Sequence, residues 1–227
     1  MTRNTIITAI LLATVTAVTP SCNHDAYETG DGGLSYLHAD YADITIAGGK
    51  VTGILTDDDT HLMPSPNLTV SSQMPPDTTL RRLIHYTMQD AAAPVEIVKL
   101  TSVSVLPPHD KTEIEKMKTA PVKLAAAWMA RNQRYINLQL GLMVGNTNDT
   151  SSPQLVQIVR DSIHTHGKGA IFLTLYHDQA GMPEYYTQET HLSLPLDRLV
   201  PEATQPDTVS ITVNTYSGTV TKQFIKQ

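Results

Sequence analysis

The chain has 227 residues, with 16 basic side chains against 22 acidic ones and a net charge of −6. Nucleic-acid binding wants a basic stripe, so this balance argues against nucleic acid as a partner and against electrostatic adhesion to anionic lipid. A single cysteine leaves no internal disulfide to form, so the fold must hold by packing alone.

The chain opens with Arg3, an apolar run from Ile6 to Val18, then Pro20 and Ser21-Cys22. A membrane span needs about 20 apolar residues, and this run is shorter. A positive start, a short apolar run and a small residue at the end make residues 1–21 a secretory signal peptide. Cys22 follows directly and reads as a lipid acceptor, in a loose lipobox resembling those of Bacteroidetes lipoproteins. Several acyl chains there would anchor stably where one does not. The alternative is an incidental cysteine in an ordinary leader. Loss of Arg3 with the leader takes the net charge from −6 to −7. Residues 22–35 are a tether, since Asn23–Gly33 is polar and holds three glycines.

Residues 36–106 read as a small OB-like barrel of about five strands. From Ala42 to Leu55, Ile44 and Ile46 alternate with polar neighbours, Gly48-Gly49 marks a turn, and Val51 and Ile54 resume the apolar content. Asp57-Asp58-Asp59-Thr60 reads as a turn, with calcium binding as the alternative. Pro64, Pro66, Pro75 and Pro76 punctuate the next connection. Leu80–Met88 and Val95–Val105 are the next strands. Arg81-Arg82, close to His85, reads as a charged edge strand that discourages aggregation; the alternative is recognition of an acidic ligand.

Residues 107–121 form a linker, because a double proline at 107 and 108 removes two donors. Within it, Asp110–Thr119 is the most helical text, with Asp110 and Glu113 in capping-box positions, and reads as a short helix or turn. Residues 122–227 read as a β-sandwich. Val122–Met129 is ambiguous, since its Ala-rich text favours helix. Tyr135–Val144 is clear: Ile136, Leu138, Leu140 and Leu142 share one face. Leu155–Val159, Ala170–Tyr176 and Thr187–Leu196 continue the series. In the last of these, His191, Ser193 and Pro195 fall on one side and Leu192, Leu194 and Leu196 on the other. Thr208–Asn214 and Thr219–Ile225 close the chain around the Tyr216-Ser217-Gly218 turn. Strands spaced by turn signals with no helix between them predict an antiparallel, Ig-like sandwich. The whole is all-β: signal peptide, flexible tether, OB-like barrel, sandwich.

Three further features bear on chemistry. His164 and His166 would share one face of a strand, and a solvated loop explains them better than a metal site, which wants three or four ligands. His177-Asp178 reads as a turn rather than half of a catalytic dyad, with no nucleophile elbow elsewhere in the chain. Trp128, the sole tryptophan, reads as a packing anchor near the domain junction.

Three segments carry a family likeness: KVTGILTDDDTHLMPS, TAPVKLAAAWMARNQRYINLQLGL and the closing TVSITVNTYSG. With the Ser-Cys box they resemble the NigD-like lipoproteins of Bacteroidetes. That resemblance implies an N-terminal OB-like domain, a C-terminal β-sandwich and an association with bacteriocin loci, and it implies no catalytic residue. The expectation is therefore a non-catalytic binding or scaffold module of the outer membrane, on either its periplasmic or its surface face. It would be held by the lipid at Cys22, with an envelope protein or glycan as partner and no cofactor or metal. The alternative is an immunity or protective factor.

Overall fold

The computed structural model describes residues 37–65, 75, 77–88, 93–145, 153–164, 169–200 and 206–227. The signal peptide, Cys22, the tether, Pro66, Pro76 and His166 lie outside them.

The first strand, β1 (Leu37–Ala47), turns at Gly48-Gly49 into β2 (Lys50–Thr56). Both glycines hold positive φ, a conformation that costs a side-chain-bearing residue more than glycine. The short β3 (His61–Leu62), then β4 (Thr78–Thr87) and β5 (Glu96–Val105), follow. These five strands lie in the order β3-β2-β1-β4-β5 and continue through β11 (Tyr186–Pro195) and β8 (Tyr135–Val144) to β7 (Lys123–Met129). A second sheet has the order β13-β12-β10-β9-β6, made of β6 (His109–Asp110), β9 (Leu155–His164), β10 (Ala170–Asp178), β12 (Thr208–Thr215) and β13 (Gly218–Ile225).

Two hydrophobic cores result. Even-numbered residues of β1 and β4, including Ala42, Ile44 and Ile84, pack with Val51, Ile54 and Val95 inside the curl of the first five strands. The second core lies between the two sheets. Ile136, Leu138 and Leu140 of β8 and Leu192 and Leu194 of β11 face Ile171 and Leu173 of β10 and Ile211 of β12. The alternation predicted for 135–144 and 187–196 sets these faces.

The OB-like barrel is not closed. Among the described residues its two ends meet at one bridge, Pro64 to Val95, where the Ser65 N–H donates to the Val95 carbonyl at 3.1 Å. No ladder among them closes it, and β5 turns its far edge to β11 instead. That seam is parallel and pairs Val103, Ser104 and Val105 with His191, Leu192 and Ser193. The sandwich is mixed rather than purely antiparallel. β10 and β12 run parallel because the chain leaves β10, crosses to the other sheet as β11 and returns as β12.

Three local expectations also change. The predicted helix or turn at 110–119 holds one 3₁₀ turn, Lys111–Glu113, and Asp110 makes no cap. Its carboxylate instead binds the buried Arg160 guanidinium at 2.9 Å, and residues 109–110 pair with β9. The Ala-rich Val122–Met129 resolves as strand over Lys123–Met129, because pairing with β8 outweighs the helix propensity of alanine. β4 is not an edge: it lies between β1 and β5.

Candidate functional site

The outer face of β8 and β11 carries Asn137, His191 and Ser193, and sequence alternation alone would leave it in water. The odd-numbered face of β1 and β4 covers it. A polar layer is therefore enclosed between two apolar cores, and Arg81 of β4 stands at its centre with a side chain 2% exposed. Its Nη2 donates to both oxygens of Asp57, at 2.6 and 2.7 Å, from the turn after β2. The same nitrogen donates to Asn137 Oδ1 at 3.2 Å, and Nε donates to Ser193 Oγ at 3.2 Å. Ser193 donates to Asn137 Oδ1 at 2.7 Å, and Asn137 Nδ2 donates to Asp57 at 2.7 Å.

Asp43 of β1 completes the charge balance. It lies 3.5 Å from Arg81 and 2.9 Å from Arg134. The Tyr135 ring lies 4.0 Å beneath the Arg81 guanidinium, a cation–π contact. Two arginines thus face two aspartates with polar partners around them, the condition under which buried charge is tolerated. Each of these groups is committed to a neighbour, and the layer joins the first five strands to the sandwich.

Tyr41 extends the layer: its hydroxyl lies 2.7 Å from His191 Nδ1, and its ring meets Trp128 edge-on at 5.2 Å. Trp128 of β7 thus packs against Tyr41 of β1. Burial pushes the Tyr41 phenol up to about 12, with Arg81 working against the shift. The native state therefore favours the neutral phenol. That contribution to stability is fully present below the ordinary tyrosine range and is lost as pH rises toward 12. Alkaline titration followed by tyrosinate absorbance should show Tyr41 ionising late and together with unfolding. In Tyr41→Phe the amplitude of that late step falls by one tyrosine, the remainder coming from Tyr86 and Tyr135, whose phenols burial also raises.

The other sequence candidates fall elsewhere. Asp57 is taken up by Arg81. Asp58 accepts from Thr56 and Thr60, and these bonds hold its carboxyl below the usual range. The Asp57–Thr60 turn is thus held by the Asp58 carboxylate together with the Thr56 hydroxyl. His164 ends β9 with its ring tilted against Phe172. His177 lies within β10 rather than in a turn and is buried. Its ring nitrogens stand 3.0 Å from the Ala120 carbonyl and 3.1 Å from Gln154 Oε1. Asp178 turns away to Lys118 at 2.6 Å, which holds its carboxyl low. This pair stitches residues 118–120 to β10; it is not a dyad.

One exposed feature escaped the sequence reading. Tyr185, Tyr186 and Tyr216 are 76, 57 and 45% exposed. The Tyr216 hydroxyl donates to Glu184 at 3.3 Å, which brings the β12–β13 turn to the start of β11. Gln179 fixes the preceding loop by donating to Glu184 at 2.9 Å and to the Met182 carbonyl at 2.8 Å. Gly145 lets that loop close, since a Cβ there would lie 2.6 Å from Pro183 and 2.9 Å from Tyr185. Tyrosine presents a large amphipathic area at low entropic cost, as binding surfaces require. Nothing in the sequence pattern flags these residues, because they stand at strand ends and in a turn.

This architecture, two cores with a polar layer between them, is that of an all-β protein ending in a β-sandwich. Residues 104–226 match the NigD-like C-terminal β-sandwich domain, more than half of the chain, and the chain belongs to the NigD-like family. Solved structures agree in fold. A NigD-like immunity protein from Bacteroides caccae has a TM-score of 0.62 at 22% identity, over 84% of this chain and 98% of that one. A candidate toxin-related protein from Parabacteroides distasonis has 0.59 at 14% identity, over 83 and 92%. A candidate lipoprotein from Bacteroides fragilis has 0.58 at 13% identity, over 84 and 97%. No curated protein matches the chain.

Proposed function

We propose that the protein is a non-catalytic binding module of the cell envelope, lipid-anchored at Cys22 in the outer membrane. Residues 36–106 and 122–227 form its two lobes, and the tyrosine end of the sandwich meets its partner. The observation that carries this reading is the exposure of Tyr185, Tyr186 and Tyr216 at one end of the sandwich, where Tyr216 donates to Glu184 and Gln179 fixes Glu184 in turn. Large exposed aromatic patches mark interaction sites. The lipoprotein name of the Bacteroides fragilis neighbour and the Ser21-Cys22 leader support the anchor. A second reading, an immunity or protective factor, draws on the name of the Bacteroides caccae neighbour.

The test is fractionation and crosslinking in native membranes. The wild-type chain pellets with membranes and captures a defined envelope partner. Cys22→Ala moves to the soluble fraction, and Tyr185→Ala/Tyr186→Ala stays in the membrane but loses the partner. Unchanged fractionation of Cys22→Ala removes the anchor from the reading. Unchanged capture by the tyrosine variant removes the binding end.

A further inference from the structure

β7 and β13 are the outermost strands of their sheets, and they flank the same open side of the sandwich. At one end the Val122 N–H donates to the Asn214 carbonyl at 3.0 Å, and at the other the Gln227 N–H donates to Gln133 Oε1 at 2.9 Å. Between these ties, among the described residues, no ladder pairs the two strands. Two clefts of about 410 and 510 Å³ lie along the gap. Ala125, Ala126 and Ala127 line the first, and their small side chains leave the room.

The charge along this trough opposes that of the whole chain. Its charged side chains are Lys123, Lys222 and Arg131, and no Asp or Glu side chain lines it. Acidic residues outnumber basic ones in the chain as a whole. We propose that the trough takes an extended acidic segment of a partner protein, added as a strand along the free edge of β13. The unpaired N–H and C=O groups of β13 would supply main-chain hydrogen bonds, and the three cations would select for acidic side chains. β13 is eight residues long, so a strand beside it spans about 25 Å.

A second copy of this chain is a poorer occupant. It would bring Lys222 against a like-charged edge, and the bulge between Leu124 and Ala126 twists β7 away from regular pairing. The inference rests on the reading of the protein as a binding module and adds to it a site that adjoins the tyrosine end at Tyr216, which lines the first cleft.

The experiment uses the full chain in detergent and a fluorescent eight-residue peptide of alternating glutamate and valine, end-blocked. Anisotropy should show saturable binding, weakened about tenfold by Lys222→Glu. A lysine–valine peptide and a glutamate–valine peptide N-methylated at alternate residues should not bind. Hydrogen exchange should slow at Gly218–Ile225 when the acidic peptide is added. Absent binding, equal binding of the lysine peptide, or unchanged exchange in β13 overturns the proposal. So does a dimer whose β13 amides are already protected without peptide. Peptide binding that survives Tyr185→Ala/Tyr186→Ala separates this site from the tyrosine end. If tyrosine-dependent capture holds and peptide binding fails, the binding-module reading stands and the strand site falls.

Discussion

Arg81→Ala is expected to destabilise the folded chain by about 3–5 kcal/mol, the cost of breaking a buried ion pair by removing one partner. The truncation strips Asp57 of the nitrogen that bonds both its oxygens and leaves Asp43 with Arg134 and the Tyr135 hydroxyl. Asn137 and Ser193, which share Arg81, lose a donor at the same step. For a chain of this size each kcal/mol moves the melting temperature by about 2–4 °C, so the expected fall is at least several degrees. Urea unfolding measures it directly. Removing the charges together, as Arg81→Met with Asp57→Leu, should recover a large part of the loss, because the penalty lies in stranded charge rather than in the absence of a salt bridge. A loss below about 1 kcal/mol for Arg81→Ala would mean that water reaches the layer and screens the aspartates.

The second large effect is expected in the cores. Leu138 and Ile84 are fully buried, one in each. Truncating either to alanine should cost about 2–5 kcal/mol, from lost transfer energy plus the cavity left behind. Because the polar layer ties the two cores through Arg81, Asn137 and Ser193, both variants should unfold in one transition whose midpoint falls. Two separated transitions, with Ile84→Ala lowering only one of them, would show that the layer does not couple the cores. Circular dichroism against urea, with Trp128 fluorescence as the second probe, distinguishes these outcomes.

How far the residues themselves disclosed this arrangement varies by element. β8 was legible over its whole length, because four apolar residues at period two fix both its state and its inward face. The hairpins at Gly48-Gly49 and Ser217-Gly218 were equally plain, since turn chemistry is local. The Ala-rich β7 was not, since its text favours helix and its neighbour β8 overrides it. Residues 110–119 misled for a related reason: Asp110 and Glu113 have capping spacing, yet Asp110 is claimed by Arg160, fifty positions away. Alternation also placed Asn137, His191 and Ser193 on the face opposite the core, which is correct. It cannot say what covers that face. Arg81 looked like a guard on an exposed edge because its burial depends on β8 and β11, and no local pattern carries that information. The tyrosine end has no periodicity to read.

The parallel seam between β5 and β11 bears on the order in which the molecule forms. Its partners stand nearly ninety positions apart, Val103 with His191 and Val105 with Ser193. A chain made from its N-terminus can collapse the first five strands early, since most of their contacts are near in sequence. During that interval Arg81, Asp43 and Asp57 are still hydrated. They are withdrawn from water only when β8 and β11 arrive, so the desolvation of these charges is a late event. Substitutions in the layer should therefore speed unfolding more than they slow folding.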